Sequence, residues 1–461
     1  MSSLLRFIVA VSILALLIVG VGWVSAGRAA GPDIRIRQPG DFIGQDTTLD
    51  LAVEAPDGLL SALDVTVEQG GTSFPVYSLN APLNEGATQD SAESLYVMRP
   101  IGRSAIADLR TGDARIVVRA ARPVLYGFRQ AESVVTKDVQ VRLESPQVTV
   151  LSTFHYVNHG GAELVVYRVA PDDVTSGVRV GEQTYPGYPG SAAGLAGDAG
   201  VRVAFFALLH DQDLATPIEV VAEDPAGNTT AVPLDHRVFP KAFARSRITI
   251  DDRFLSRVIP AMAAANPDLN LATAPEALAD SFLRVNRDLR RQNNQTLVEL
   301  AGRTASEMFW RDAFQPLGNA SVEAGFADYR TYLHDGEEID QQVHLGFDLA
   351  VTAQVPITAA QRGRVLHAGN LGIYGTAVVL DHGLGVQSLY AHLSSVEVAP
   401  DELVDKGAVI GRSGMTGLAA GDHLHFTVLL QGQAVNPVEW WDPKWIQDRV
   451  LRKLDEAGRV R

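Results

Sequence analysis

The chain has 461 residues, 46% hydrophobic and 20% charged, which predicts about three domains at roughly 150 residues each and excludes wholesale disorder. A formal net charge of −15 offers no basic face for phosphate, so nucleic acid is excluded as the main partner. The lack of cysteine excludes disulfide scaffolds, thiolate metal sites and cysteine nucleophiles, and leaves the redox compartment undecided.

Residues 7–26 read FIVAVSILALLIVGVGWVSA, an uncharged run long enough to cross a hydrocarbon core of ~30 Å as a helix. Arg6 precedes it and predicts an N-terminus held in the cytoplasm. Cleavable apolar regions usually run about 7–15 residues, so residues 1–30 are read as a signal anchor in the cytoplasmic membrane. The competing reading is a cleaved secretory signal ending at Val24-Ser25-Ala26. Either reading places residues 30–461 outside that membrane.

The expected fold class is mostly β. Residues 31–145 show strand alternation (Ile34-Arg35-Ile36-Arg37; Leu63-Asp64-Val65-Thr66-Val67-Glu68) between Gly, Pro and Asp clusters. That pattern predicts an immunoglobulin-like β-sandwich. Residues 146–240 repeat it, with strands expected at Val148–Leu151, Leu164–Val169, Val201–Leu209 and Ile218–Ala222, and predict a second such sandwich. Tyr185-Pro186-Gly187-Tyr188-Pro189-Gly190 reads as a long loop.

Residues 241–313 carry 11 Lys/Arg against 9 Asp/Glu and read as a helical linker. Pro275 marks a helix start, and Leu278, Phe282, Val285 and Leu289 form one apolar face. A solvated helix joining two domains accounts for the segment. The sharper reading is a regulatory element that docks on the acidic domain after it and covers its groove.

Residues 314–442 are β-rich and hold 5 Lys/Arg against 15 Asp/Glu. Seven of the eleven histidines fall between His334 and His425. Three constellations stand out: His344-Leu345-Gly346-Phe347-Asp348, Tyr390-Ala391-His392-Leu393 and His423-Leu424-His425-Phe426. On a strand, His423 and His425 share one face, while Leu424, Phe426 and Val428 share the buried one. His344 and Asp348 can share a face of an extended segment, since Gly346 disfavours a helix. A catalytic zinc ion takes three N or O ligands and leaves a fourth position open, which two histidines and a carboxylate satisfy. Such a site makes hydroxide available near neutral pH, and further imidazoles can move the proton or hold anionic charge. His155 and His159 have no carboxylate at ligand spacing and read as loop or edge-strand residues; His367 and His382 read as structural. Residues 443–461 predict an amphipathic helix through Ile446, Val450 and Leu454 that packs on the domain or frays.

The set HLGFD, YAHL and HLHF resembles the lysostaphin-type (LytM-like, duplicated hybrid motif) zinc metallopeptidases in order, spacing and flanks, from about Phe326 to Trp440. GRVLHAGNLGIYGTAVVLDHG resembles the Gly-rich hairpins of that family, VDKGAVIGRSGMTG its turn before the last strand, and VNPVEWW its closing segment. The resemblance implies a barrel-sandwich metallopeptidase domain with one Zn²⁺ on His344, Asp348 and His425. It makes His392 and His423 the catalytic pair, with their division of labour open. It also implies hydrolysis of peptide bonds in peptidoglycan stems or cross-links, at the extracytoplasmic side of a bacterial cell envelope, and allows for a protein regulator. The oligomeric state and the bond cleaved are not readable. The alternative is a family member without hydrolytic activity that activates or recruits another cell-wall hydrolase.

Overall fold

A computed structural model describes residues 3–55, 59–80, 87–91, 94–195, 197–350 and 352–459. The chain is mostly β and divides into two compact units, one of residues 1–146 with 223–230 and one of residues 147–222 with 231–461.

The first unit begins with the helix Ser3–Ala26, whose apolar residues face outward along most of its length. Among the described residues it is the one helix long and apolar enough to cross a membrane, a property that anchors and signal sequences share. Two sheets follow. One orders Asp33–Gln38, Thr48–Glu54, Ser94–Pro100 and Ala87–Ser91; the other orders Phe42–Ile43, Arg129–Val141, Gly112–Val124, Ala62–Gln69 and Thr72–Ser78. The predicted alternation places Leu63, Val65 and Val67 in the core with Ile116 and Val118, against Leu49, Leu51 and Val53 of the opposite sheet. The strands Gly112–Val124 and Arg129–Val141 form one long hairpin paired along its whole length.

In the second unit, one sheet orders Gln147–Val150, Gly161–Ala170, Val201–Leu208 and Tyr188–Pro189. Tyr185–Gly190 is not the long loop expected. Gln183–Pro186 and Tyr188–Pro189 are short strands broken at Gly187, with Tyr185 buried. The prolines sit at the ends of these short strands, where a missing N–H costs the ladder little. Pro275 does open a helical run, which continues through Leu278–Arg284, a π-helical turn Val285–Leu289 and Arg290–Ala301. Leu278, Phe282, Val285 and Leu289 are all buried, against Leu255, Val258, Ile259 and Met262 of the helix Asp252–Ala265.

The C-terminal β-region is a sheet ordered Ser321–Ala324, Phe347–Ala350, His423–Leu430, Val386–Leu393, Thr376–Gly383, Gly363–Asn370 and Leu403–Val404. The face of His423–Leu430 that carries Leu424, Phe426 and Val428 joins a core that also contains Leu164, Val166 and Phe206, so this sheet and the β-strands of 147–222 share apolar interior. Ile446, Val450 and Leu454 are buried, so the C-terminal helix packs rather than frays.

Candidate metal centre

The strand Glu337–His344 ends at His344, the chain bends at Gly346, and Phe347–Ala350 starts a different sheet. His344 and Asp348 therefore meet across a bend rather than along one extended face. A Cβ on Gly346 would stand 2.6 Å from the His425 ring and from Thr427 Oγ1, so only glycine lets this corner approach. Phe347–Ala350 pairs antiparallel with His423–Leu430, which sets Asp348 directly opposite His425. On the other side of that strand Ala391 lies opposite His425, and His392 follows with φ of 62°, a left-handed conformation uncommon for any residue but glycine.

His344 Nε2 lies 3.0 Å from Asp348 Oδ1 and 3.0 Å from His425 Nδ1, and those two atoms are 3.0 Å from each other. Hydrogen bonds behind the rings fix which nitrogen faces inward. A carbonyl only accepts, so His344 Nδ1–H donates to Gly325 O (3.1 Å), leaving Nε2 as a lone pair. Thr427 gives its hydroxyl proton to Leu345 O (2.9 Å) and accepts from His425 Nε2–H (3.0 Å), leaving His425 Nδ1 as a lone pair. Three electron-pair donors thus converge with no proton between the two nitrogens. Tetrahedral coordination at about 2.0–2.1 Å separates neighbouring ligand atoms by roughly 3.3 Å, so the donor set fits a zinc-sized cation. The second Asp348 oxygen is 3.3 Å from Arg330 Nη2, and Arg330 is held by Asp328 at 3.1 Å.

His392 and His423 flank this triangle. His392 Nδ1–H donates to Thr416 O (2.8 Å) and His423 Nδ1–H to Gly421 O (2.9 Å), which frees both Nε2 atoms. His423 Nε2 is 3.4 Å from Asp348 Oδ1, and the His392 ring centre is 4.8 Å from that of His423. Burial pushes the Asp348 carboxyl up, but the imidazoles of His344, His423 and His425 crowded against it reverse this and hold it well below the usual carboxylate range. Burial and the nearby imidazoles push His392 down to about 3. Burial lowers His425 to about 4, against a smaller opposing effect of Asp348. Burial lowers His423, but the Asp348 carboxylate close by outweighs it and raises it.

All five residues line one cavity of about 500 Å³, with Phe254, Phe282, Arg290 and Tyr374 on its walls. Part of the wall therefore comes from the helical segment. Arg330, Thr416, Thr427 and Tyr374 went unremarked in the sequence. Thr427 carried a signal, being two residues beyond His425 on the same strand face; Arg330 lies outside every motif. The remaining histidines lie elsewhere. His155 is buried between Ser152 Oγ (2.8 Å) and Asp235 O (3.0 Å), His159 faces Gln212 O, and His382 is buried with Nδ1–H on Arg362 O (2.7 Å).

The C-terminal region is similar to proteins of known name. The DD-carboxypeptidase/endopeptidase Mpg of Neisseria meningitidis serogroup B is 42% identical over 97 residues, 21% of this chain and 22% of that protein, so the chain spans only about a fifth of that relative. Lipoprotein NlpD of Yersinia enterocolitica is 36% identical over 94 residues, 20% of this chain and 96% of NlpD. A crystal structure of a peptidase M23 protein from Pseudomonas aeruginosa aligns with 63% of this chain and 96% of its own, at 20% identity and a TM-score of 0.38. Residues 342–437, which contain all five clustered residues, match the model of Peptidase family M23, and the chain belongs to that family through this C-terminal domain.

Proposed function

We propose that this chain is a zinc endopeptidase of the bacterial cell envelope, held to the cytoplasmic membrane by its first helix and hydrolysing peptide bonds of peptidoglycan stems or cross-links. The observation that carries the reading is the triangle of His344 Nε2, Asp348 Oδ1 and His425 Nδ1, with 3.0 Å edges and both imidazole lone pairs turned inward. These three residues would hold one zinc ion. When bound, zinc would supply Lewis acidity toward a carbonyl and acidify water. His392 and His423 line the same cavity, one with Nε2 unprotonated to take the proton of the attacking water and the other with Nε2 protonated to hold developing oxyanion charge. Arg330 fixes the Asp348 carboxylate, and Phe254, Phe282 and Tyr374 wall the cavity and exclude water. The name of the Neisseria relative, a DD-carboxypeptidase/endopeptidase, supports peptide-bond hydrolysis. In this reading residues 31–145 and 146–240 are immunoglobulin-like modules that carry the domain of residues 314–442.

The test uses the full chain in detergent with added zinc and purified cell-wall sacculi. New free amines are expected, with muropeptides that mass spectrometry identifies as split at one peptide bond. Asp348→Ala and His425→Ala should lose both the metal and the release. If wild type loaded with zinc releases nothing, yet stimulates release once a separate amidase is supplied, the hydrolase reading is wrong and the non-hydrolytic regulator takes its place.

A further inference from the structure

The tip of the long hairpin in the first unit has no role in that unit's core. Leu125, Tyr126, Gly127 and Phe128 join Gly112–Val124 to Arg129–Val141. Tyr126 is fully exposed and Phe128 is 79% exposed. Leu125 and Tyr126 both have positive φ (53° and 55°), a conformation that costs non-glycine residues energy. A strained turn with two aromatic rings in the open is unfavourable in water and asks for an apolar surface.

The tip also lies beside the end of the apolar helix. Leu125 Cδ1 covers Gly22, within 3.3 Å of where a Cβ would stand. Arg129 donates to Trp23 O (2.8 Å), and its guanidinium carbon stacks 4.9 Å from the centre of the Trp23 ring. Arg122 Nε donates to Ala30 O (2.9 Å), so the connection after the helix is tied to the same hairpin. The helix has 24 residues, about 36 Å at 1.5 Å each. That exceeds a hydrocarbon core of ~30 Å, so its last turn, with Trp23, reaches the headgroup level. Aromatic rings with one polar end are favoured at that depth.

We propose that Leu125, Tyr126 and Phe128 are a second membrane contact, a hairpin tip that inserts into the lipid interface next to Trp23 and fixes the tilt of the first β-unit on the bilayer. The partner is the lipid surface itself. The inference rests on the reading of Ser3–Ala26 as a membrane anchor.

The chain has no cysteine, so Tyr126→Cys, Phe128→Cys and Thr72→Cys each create a single labelling site. Thr72 is the control: it pairs with Gln69, beside the Glu68–Arg115 pair at the opposite end of the same sheet, and strands of 13 residues span about 40 Å. Each full-length variant is labelled with an environment-sensitive NBD dye and reconstituted into phosphatidylcholine/phosphatidylglycerol vesicles, with circular dichroism to check the fold. At 126 and 128 the emission should shift to the blue and be quenched severalfold more than at 72 by phosphatidylcholine bearing a nitroxide near its headgroup. If the chain sediments with the vesicles and the three positions behave alike, the proposal is wrong while the anchor stands. If the chain does not sediment with vesicles, the anchor reading fails and takes the proposal with it.

Discussion

Among single residues, Thr427 deserves a substitution before any of the five clustered ones, because it separates metal binding from fold. Its hydroxyl is the acceptor that turns His425 Nδ1 inward. Thr427→Val keeps shape and volume and leaves the imidazole free to change tautomer. A loss of about 10–100-fold in zinc affinity is expected, with unchanged circular dichroism, measured by competition against a chelator. His382 bears on pH in a different way. It is wholly buried, donates to Arg362 O and lies 2.8 Å from Ser388 Oγ, and burial pushes it down to about 4. Above about pH 6.5 both folded and unfolded forms are neutral. As the pH falls from 6.5 toward 4 only the unfolded chain takes up the proton, so stability is lost across that window, by about 3 kcal/mol. His155, also lowered to about 4 by burial, acts with the same sign. Between pH 7 and pH 4.5 the denaturant midpoint of the wild type should therefore fall relative to that of His382→Gln.

At the level of elements, the helix Asp252–Ala265 both packs a core and lines the candidate site. Asp251 caps it, with Oδ1 accepting from Phe254 N at 2.7 Å, and both residues border the cavity that holds the histidines. Asp251→Ala should lower stability by about 1 kcal/mol, read from the denaturant midpoint. It should also raise KM for peptide while zinc affinity stays constant, since no ligand moves. Local patterns were what the sequence made legible. Leu63, Val65 and Val67 alternate because a half-buried strand has a period of two, and Leu278, Phe282, Val285 and Leu289 follow a helical stripe. The π-helical turn Val285–Leu289 inside that stripe was not legible, because i, i+4, i+7 and i+11 spacing suits an ordinary helix as well. His423 and His425 share a face by strand period alone. The approach of Arg330 to Asp348 and the left-handed turn at His392 depend on the pairing of distant strands, which no single stretch of sequence encodes.

On the scale of the whole molecule, what joins the strands of 147–222 to the peptidase-like sheet is an aromatic core with buried charge at its edge. The rings of Phe205, Trp310, Phe314 and Trp440 sit 5.4–6.0 Å apart in successive pairs. Glu439, wholly buried, accepts from Asn158 Nδ2 and Ala162 N (2.7 Å each), and burial raises it to about 7. From the C-terminal helix, Lys453 Nζ reaches Glu163 Oε1 at 2.8 Å, with both side chains almost completely buried. Burial raises Glu163 and lowers Lys453, each partly offset by the other. Such a pair gains little over apolar packing, yet breaking it strands a charge. Lys453→Met should therefore cost about 3–5 kcal/mol, because Glu163 keeps its bonds to Tyr156 N and Leu164 N but loses its counter-ion. The double variant Glu163→Leu/Lys453→Met should recover most of that loss in the denaturant midpoint. If the single and double variants are equally unstable, the C-terminal helix is held by its apolar face through Ile446, Val450 and Leu454, and the buried pair contributes no specific coupling between the two β-regions.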